Sequence, residues 1–316
     1  KEELVERMVT TSPDVTISTN LGGWVNRRGV FSRNPSPALY HESEVQSFQK
    51  WEQNPSGQHF ELGIAENNLF LMLVAMGLSH ELFGKRLIPI ATLYDPFIYR
   101  GLDALNYACY QDARFILAAT PSGISLAPEG GAHQSIGTPL VGMALDGLAA
   151  FEPSYVDELA TILEWSFEYI QRDSSGDSTS EWLRDSKGGS VYLRLSTRPV
   201  KQLDRTLSQE EKIEIIEGGY WVSRPDAGSE LALVYCGAVV QEVSEAFKLI
   251  REDMPGAGLL AITSPDRLNA GWQAAKRSRH QGGMRTVSLI EKLLEPLSEN
   301  ATLVTILDGH PATLSW

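Results

Sequence analysis

The alternation of short β-rich runs with amphipathic helical stretches constrains this chain more than any single motif. Runs of strand character at Asp14–Thr19, Arg86–Thr92, Arg114–Thr120, Val191–Ser196, Leu231–Cys236, Leu259–Thr263 and Thr302–Leu307 end in small or turn-forming residues. Between them, Glu66–Ser79, Tyr99–Tyr110, Tyr155–Ile170 and Val240–Arg251 repeat apolar residues at steps of three and four, as Tyr155, Leu159, Ile162, Leu163 and Ile170 show. Strands joined through helices run mostly parallel, and the helices cover both sheet faces. The pattern predicts an α/β chain of two three-layer α/β/α domains with mostly parallel sheets. After Arg198-Pro199 the chain is charged and lacks strand character to about Ile216, and a fresh α/β pattern begins near Glu230. This places a first domain over 1–200, a linker over 201–215 and a second domain over 216–316. The second reads as incomplete, because "TLVTILDGHPATLSW" stops after a strand and turn where such a domain ordinarily continues with a helix. The segment Asp173–Ser180 is polar and reads as an exposed loop.

Composition removes several functional classes. Hydrophobic residues make up 42% of the 316, with no uninterrupted apolar run long enough for a bilayer, which needs about 20 residues. No signal peptide is recognisable, although a chain starting at Lys1 leaves room for a processed targeting segment. A net charge of −13 argues against a nucleic-acid surface, which needs clustered Lys and Arg. Cys109 and Cys236 fall in apolar segments far apart, as expected of buried thiols in a reducing compartment, the cytoplasm, and no Cys/His spacing suggests a metal site. Walker, nucleophile-elbow and zinc-protease motifs are missing. Gly256-Ala-Gly258-Leu-Leu-Ala261 superficially matches a dinucleotide fingerprint but precedes a strand instead of following one.

Three stretches carry candidate chemistry. "GQHFELGIAENNL" sets Glu66 at the mouth of the apolar run Leu69, Phe70, Leu71, Met72, Leu73, Val74, Met76, Leu78. A glutamate in a first helical turn is ordinarily a solvated partner of the helix dipole. This helix, however, reads as buried nearly all round, and a carboxylate out of water must be paired, hydrogen-bonded or protonated. "TPSGISLAPEGGAHQS" follows a strand and presents Glu129 and His133 on a glycine-rich loop. Such a loop is either plain surface or an acid–base site at the carboxyl edge of a parallel sheet. "TLYDPFIYRGLDAL" places Tyr94, Phe97 and Tyr99 just after another strand, as core or as a stacking wall for a flat heterocycle.

Together these residues resemble a known family. "LGIAENN" is similar to the "GIAE" or "GIRE" segment of transketolase-like thiamine diphosphate enzymes, "TLYDPF" to their pyrimidine-stacking segment and "PEGGAHQS" to their "EDGPTHQ" loop, in the family's order. Lys1 to about Arg198 resembles the pyrimidine-binding domain, and the remainder the transketolase C-terminal domain. "TTSPDVTISTNLGGWVNRRGVFS" and Glu129 bring the chain nearer the homodimer-type pyruvate dehydrogenase decarboxylase.

The resemblance implies roles. The glutamate matching Glu66 hydrogen-bonds a ring nitrogen of the aminopyrimidine and favours its imino tautomer, which removes the thiazolium proton. Phe97 and Tyr94 match aromatic residues packed on the pyrimidine. His133 matches a histidine facing the reacting carbon. Glu129 stands where transketolases use an aspartate to read a substrate hydroxyl, one methylene shorter. Arg198 lies near a sugar-phosphate position, though "RLSTRP" has one residue more than "LSRQ". The family holds Mg²⁺ and the diphosphate with a "GDG" and a later asparagine, and this sequence has no GDG.

The expected protein is thus a split subunit or fragment that cleaves a 2-oxo acid or ketose and transfers a two-carbon unit to an aldose, a lipoyl domain or an acyl carrier protein. It would act in a two-plus-two assembly with a diphosphate-binding subunit or domain. The competing readings are a non-catalytic assembly or regulatory subunit and, from Gly256–Ala261, an NAD-dependent oxidoreductase.

Overall fold

The computed structural model describes residues 2–36, 50–126, 130–173, 183–282 and 286–316. Among the described residues eight strands build the first sheet: β1 (Met8–Ser12), β2 (Val30–Phe31), β3 (Gln53–Asn54), β4 (His59–Glu61), β5 (Ile88–Leu93), β6 (Ile116–Ala119), β7 (Leu148–Phe151) and β8 (Ser190–Arg194). Their order is β3-β2-β4-β1-β5-β6-β8-β7, and every pairing is parallel. A second sheet holds β9 (Gly219–Ser223), β10 (Ser229–Cys236), β11 (Gly258–Ile262) and β12 (Leu297–Leu307) in the order β12-β10-β11-β9, with β9 antiparallel to β11 and the other pairings parallel. The mostly parallel α/β architecture expected from the strand–helix alternation is therefore present in both sheets.

Period-two alternation places the core. Ile88, Ile116, Ala149, Phe151, Val191 and Leu193 face one side of the first sheet, and Ala91, Leu93, Leu117, Ala119, Leu148, Ala150 and Tyr192 the other. The second face is covered by Leu69, Phe70 and Leu73 of helix Glu66–Gly77 and by Leu105 and Ala108 of helix Leu102–Tyr110. The first face meets Ile162 and Tyr169 of helix Val156–Tyr169, and the same cluster continues through Ile215, Tyr220, Leu233, Tyr235, Val243 and Phe247 of the second unit. One apolar core thus joins the two sheets. We retain 1–200 and 216–316 as the proposed domain division.

Several local expectations change. Asp14–Thr19 is a turn, and the strand is Met8–Ser12; Pro13 and Asp14, at φ 64°, end it, and Thr16 folds back to hydrogen-bond the Ser12 hydroxyl at 2.9 Å. Helix Glu66–Gly77 is not buried all round, since Asn67, Asn68, Leu71 and Ala75 are exposed. Tyr99–Tyr110 divides into a 3₁₀ turn, Asp95–Gly101, and helix Leu102–Tyr110, because Pro96 opens a separate turn. The 201–215 connection holds most of helix Gln209–Glu217, whose capping box links the Ser208 hydroxyl to the Glu211 N–H (3.1 Å) and the Ser208 N–H to the Glu211 carboxylate (2.7 Å). The polar loop expected over Asp173–Ser180 lies outside the described residues beyond Asp173. Cys109 and Cys236 are free and buried, as expected. Among the described residues no helix is long and apolar enough to cross a membrane.

Candidate functional site

Parallel strands end on one edge, so loops leaving them converge. Strands β2 to β4 lie on one side of β1 and β5 to β8 on the other. A reversal of this kind opens a crevice beyond the strand carboxyl ends. Three segments enter that edge: Glu66 as the first residue of the helix after β4, Asp95–Gly101 directly after β5, and the loop after β6 that carries the turn Gly131–His133.

The side chains meet there. Glu66 is only 6% exposed, and its Oε1 accepts a hydrogen bond from Arg100 Nη1 at 2.6 Å. The Arg100 guanidinium carbon lies 3.7 Å from the centre of the Phe97 ring. The half-buried Phe97 ring is 5.8 Å from Tyr94 and 5.5 Å from the His133 imidazole, and Tyr94 stands edge-on to His133 at 5.2 Å. Glu66, Phe97, Tyr94 and His133 are therefore one constellation assembled from three segments. Glu129 lies outside the described residues. Arg198 turns toward the second unit and pairs with Glu242 of helix Val240–Asp253, and its described contacts do not join the aromatic cluster. Tyr99 is half-exposed and is no part of that cluster's ring contacts.

Behind the constellation lies a buried charge network. Asp95 is fully buried and accepts from the Ser135, Thr138 (2.5 Å) and Tyr192 hydroxyls and from Arg194 Nε (3.1 Å). Arg194, on β8, also donates to Glu152 Oε1 (2.6 Å), the Ser135 carbonyl (3.1 Å) and the Asp308 carbonyl (2.9 Å). Burial lifts the Glu152 carboxyl above the usual range, an effect that Arg194 opposes. Burial alone would lower the guanidinium pKa, but Glu152 and Asp95 more than reverse this. Burial likewise raises the Tyr192 phenol, keeping it a donor.

Asp308, at the end of β12, reaches across to the loop after β6. Its Oδ1 accepts from the Ile124 N–H at 2.7 Å and its Oδ2 from the Ser125 N–H (3.2 Å) and hydroxyl (2.5 Å). Gly123, at φ 83°, makes this possible, because a Cβ there would collide with the Asp308 carboxylate. The two arms of the loop are tied together by Gly123 N–H to Ser135 Oγ (2.9 Å), Ser135 N–H to Gly123 O (3.0 Å) and Gln134 Nε2 to Ile124 O (3.0 Å). The loop bearing His133 is thus anchored to both sheets.

Arg100, Asp95, Arg194 and Asp308 are not among the residues that the sequence motifs single out. Signals existed for two of them: Arg100 stands three residues after Phe97, one helical turn away, and Arg194 is a lone charge in the apolar run "VYLRL".

The transketolase pyrimidine-binding domain model matches residues 5–175, and the chain belongs to that family. It is a family of thiamine diphosphate enzymes. The chain is 23% identical over 301 residues to the pyruvate dehydrogenase E1 component of Pseudomonas aeruginosa, covering 93% of this chain and 32% of that protein. It is 26% identical over 281 residues to the same component of Corynebacterium glutamicum, covering 88% and 29%. The chain thus spans about a third of the length of these curated relatives. Transketolase from Leishmania mexicana shares the fold with a TM-score of 0.68 at 15% identity, over 95% of this chain and 35% of that one. A split-gene transketolase, described as an inactive β4 tetramer, matches with a TM-score of 0.50 at 17% identity, over 90% of this chain and 84% of that one.

Proposed function

We propose that this chain is the pyrimidine-binding portion of a thiamine diphosphate- and Mg²⁺-dependent enzyme that cleaves a 2-oxo acid or ketose donor and passes a two-carbon unit to an acceptor. The observation that carries this reading is the convergence of Glu66, Phe97, Tyr94 and His133 at one sheet edge. The residues suit the aminopyrimidine, because they already enclose a planar group with N–H donors, the Arg100 guanidinium, between a carboxylate and an aromatic ring. When bound, the cofactor supplies the carbon nucleophile that attacks the donor carbonyl.

The chain's own residues orient and protonate. Glu66 would share a proton with a ring nitrogen at its carboxyl oxygen. Phe97 would fix the plane of the heterocycle and Tyr94 its flank. His133, held edge-on by Tyr94, would exchange a proton with the donor oxygen, and Glu129 would read the donor's polar substituent. Arg198 remains a proposed contact to a distal substrate group.

The diphosphate and Mg²⁺ are assigned to another domain or subunit, in a two-plus-two assembly. Among the described residues no group of three or more His, Cys, Asp or Glu side chains is placed to hold a metal ion. The packed helices Glu66–Gly77 and Leu102–Tyr110 also leave Leu71 (53%), Tyr107 (58%) and Tyr110 (85%) exposed, a surface suited to a partner. A solved split-gene transketolase chain, described as an inactive β4 tetramer, has a similar extent and fold. A lipoyl domain or an acyl carrier protein would accept the two-carbon unit, and two free buried cysteines fit a cytoplasmic setting. Calorimetry with thiamine diphosphate and Mg²⁺ on the chain co-expressed with its partner is the test. Saturable binding that needs both Mg²⁺ and the partner is expected, and no binding by the assembled protein would refute the assignment.

A further inference from the structure

We propose that Arg100 is a gate: its guanidinium lies on the Glu66 and Phe97 surfaces assigned to the aminopyrimidine and must swing out before the cofactor's ring can enter. The proposal rests on the assignment of Glu66 and Phe97 to the pyrimidine. It goes beyond that assignment by giving a third residue a role that neither of the other two predicts.

The geometry is that of a ligand in its site. A guanidinium and a protonated aminopyrimidine share a planar N–C–N unit with N–H donors along one edge. Arg100 directs one N–H at Glu66 Oε1 at 2.6 Å while its carbon lies 3.7 Å from the Phe97 ring centre. Both are contact distances for a charge-assisted hydrogen bond and a cation on an aromatic face. A heterocycle lying on Phe97 with an N–H-accepting carboxylate at its edge would use the same two surfaces. Guanidinium and pyrimidine therefore exclude each other.

The backbone sets this arrangement. Arg100 follows Phe97 by three residues within the turn Asp95–Gly101, so both side chains project from one face. At Gly101 a Cβ would strike the Phe70 ring and come within 3.1 Å of the Glu66 carbonyl oxygen. The missing side chain lets the turn press against the first helical turn, bringing Arg100 to Glu66.

Burial is asymmetric, and the asymmetry makes the contact a gate and not a fixed strut. The Glu66 side chain is 7% exposed, whereas that of Arg100 is 51% exposed. The arginine can withdraw into water without leaving a hole in the core. The carboxylate cannot follow, and without the arginine it would be buried with no counter-charge. Arg100 supplies that charge until a ligand replaces it.

The functional consequence is a binding threshold, the same for every ligand that uses these surfaces. A ligand must displace Arg100 before it gains the pyrimidine contacts, so its apparent affinity falls by the fraction of open protein. A ligand anchored elsewhere by a diphosphate can bear that cost. Thiamine or a bare aminopyrimidine, with no such anchor, starts weaker and loses the same factor.

The assembled enzyme, bearing both the pyrimidine and diphosphate halves, provides the test. Cofactor association rate and calorimetric affinity are measured for wild type, R100A and R100K. R100A should bind thiamine diphosphate about tenfold more tightly, equivalent to roughly 1.4 kcal/mol, and should gain measurable affinity for thiamine. R100K keeps the charge but not the planar fork and should fall between. Guanidinium chloride, far below denaturing concentrations, should slow cofactor capture by R100A more than equal sodium chloride does, by refilling the vacated place. Cofactor binding by R100A that is equal to or weaker than wild type, or equal effects of the two salts, would overturn the gate while leaving the cofactor assignment standing. If wild type and R100A are both folded by circular dichroism and neither binds, the cofactor assignment falls and the gate with it.

Discussion

Replacing Asp266 by Asn should make the protein more stable at neutral and alkaline pH and leave it unchanged in acid. Asp266 opens helix Pro265–His280, and its Oδ2 accepts a hydrogen bond from the Ala150 N–H of β7 at 3.0 Å. Beside it, the Ser264 hydroxyl donates to the Ala150 carbonyl at 2.5 Å, so the start of the helix is stitched to the first sheet. Burial raises the Asp266 carboxyl from 3.8 to about 7, against the opposing pull of the Ala150 N–H. In the unfolded chain the group ionises near 3.8. Between the two values the folded protein holds a proton that unfolding releases, so stability falls as pH rises through this window. Below it the group is neutral in both states, and above about 7 it is charged in both with the full cost retained. Three pH units at roughly 1.4 kcal/mol each set a ceiling of about 4 kcal/mol. Asp266 lines a cleft of about 520 Å³ and is only part-buried, so water access brings the expected gain nearer 2 kcal/mol. Asn keeps the acceptor for Ala150 and removes the charge. With a urea slope of about 3 kcal/mol per molar, the midpoint at pH 8 should rise by about 0.7 M. At pH 4 wild type and variant should coincide. A difference in midpoint that is the same at both pH values would show that Asp266 does not titrate as argued.

Three further expectations concern the constellation and its support. Glu66→Gln should keep the fold but lose most turnover, because an amide cannot pass a proton; wild-type exchange of the thiazolium proton in the assembled variant would remove the role given to Glu66. His133→Ala should lower kcat by about 10²–10⁴-fold with little change in cofactor affinity, and the reverse pattern in steady-state and binding measurements would make the histidine structural. Arg194→Met leaves Asp95 and Glu152 buried without their cation and should cost about 3–5 kcal/mol, seen as a Tm lower by roughly 6–10 °C; a loss of less than 2 °C would contradict the charge-balancing role.

Legibility followed the length scale of each signal. Helices Glu66–Gly77, Val156–Tyr169 and Val240–Asp253 and strands β5, β6, β8, β10 and β11 stand close to their expected places, because each satisfies its pattern within its own few residues. The short strands β2 and β3, of two residues each, have too few positions to show an alternation. Helix Gln209–Glu217 was readable in Ser208 and Glu211, three residues apart, but its charge masked it. Within the site, Glu66, Phe97 and His133 belong to local motifs. Asp308 could not be found that way, because its partners Ile124 and Ser125 lie more than 180 residues away and the contact exists only once both sheets are in place.

That distant contact bears on why two sheets share one chain. Four donors converge on Asp95, as many as a carboxylate readily accepts. Glu152 receives Arg194 Nη1, so a single guanidinium joins two buried carboxyl groups on different strands and loops. Such a network is a poor source of stability, since well-packed apolar side chains of equal volume often do as well or better. What apolar packing lacks is direction. Arg194 fixes the carbonyls of Ser135 and Asp308 from one planar fork, and Asp308 fixes the backbone of Ile124 and Ser125. The His310 N–H adds a third tie, to the Ile136 carbonyl at 2.8 Å. A slide of one sheet against the other must carry Ser125, Ser135 and Ile136 with it, and therefore the His133 loop they bracket. We read the buried charges as the device that makes the position of His133 against Tyr94 and Phe97 a property of the whole chain instead of the loop alone.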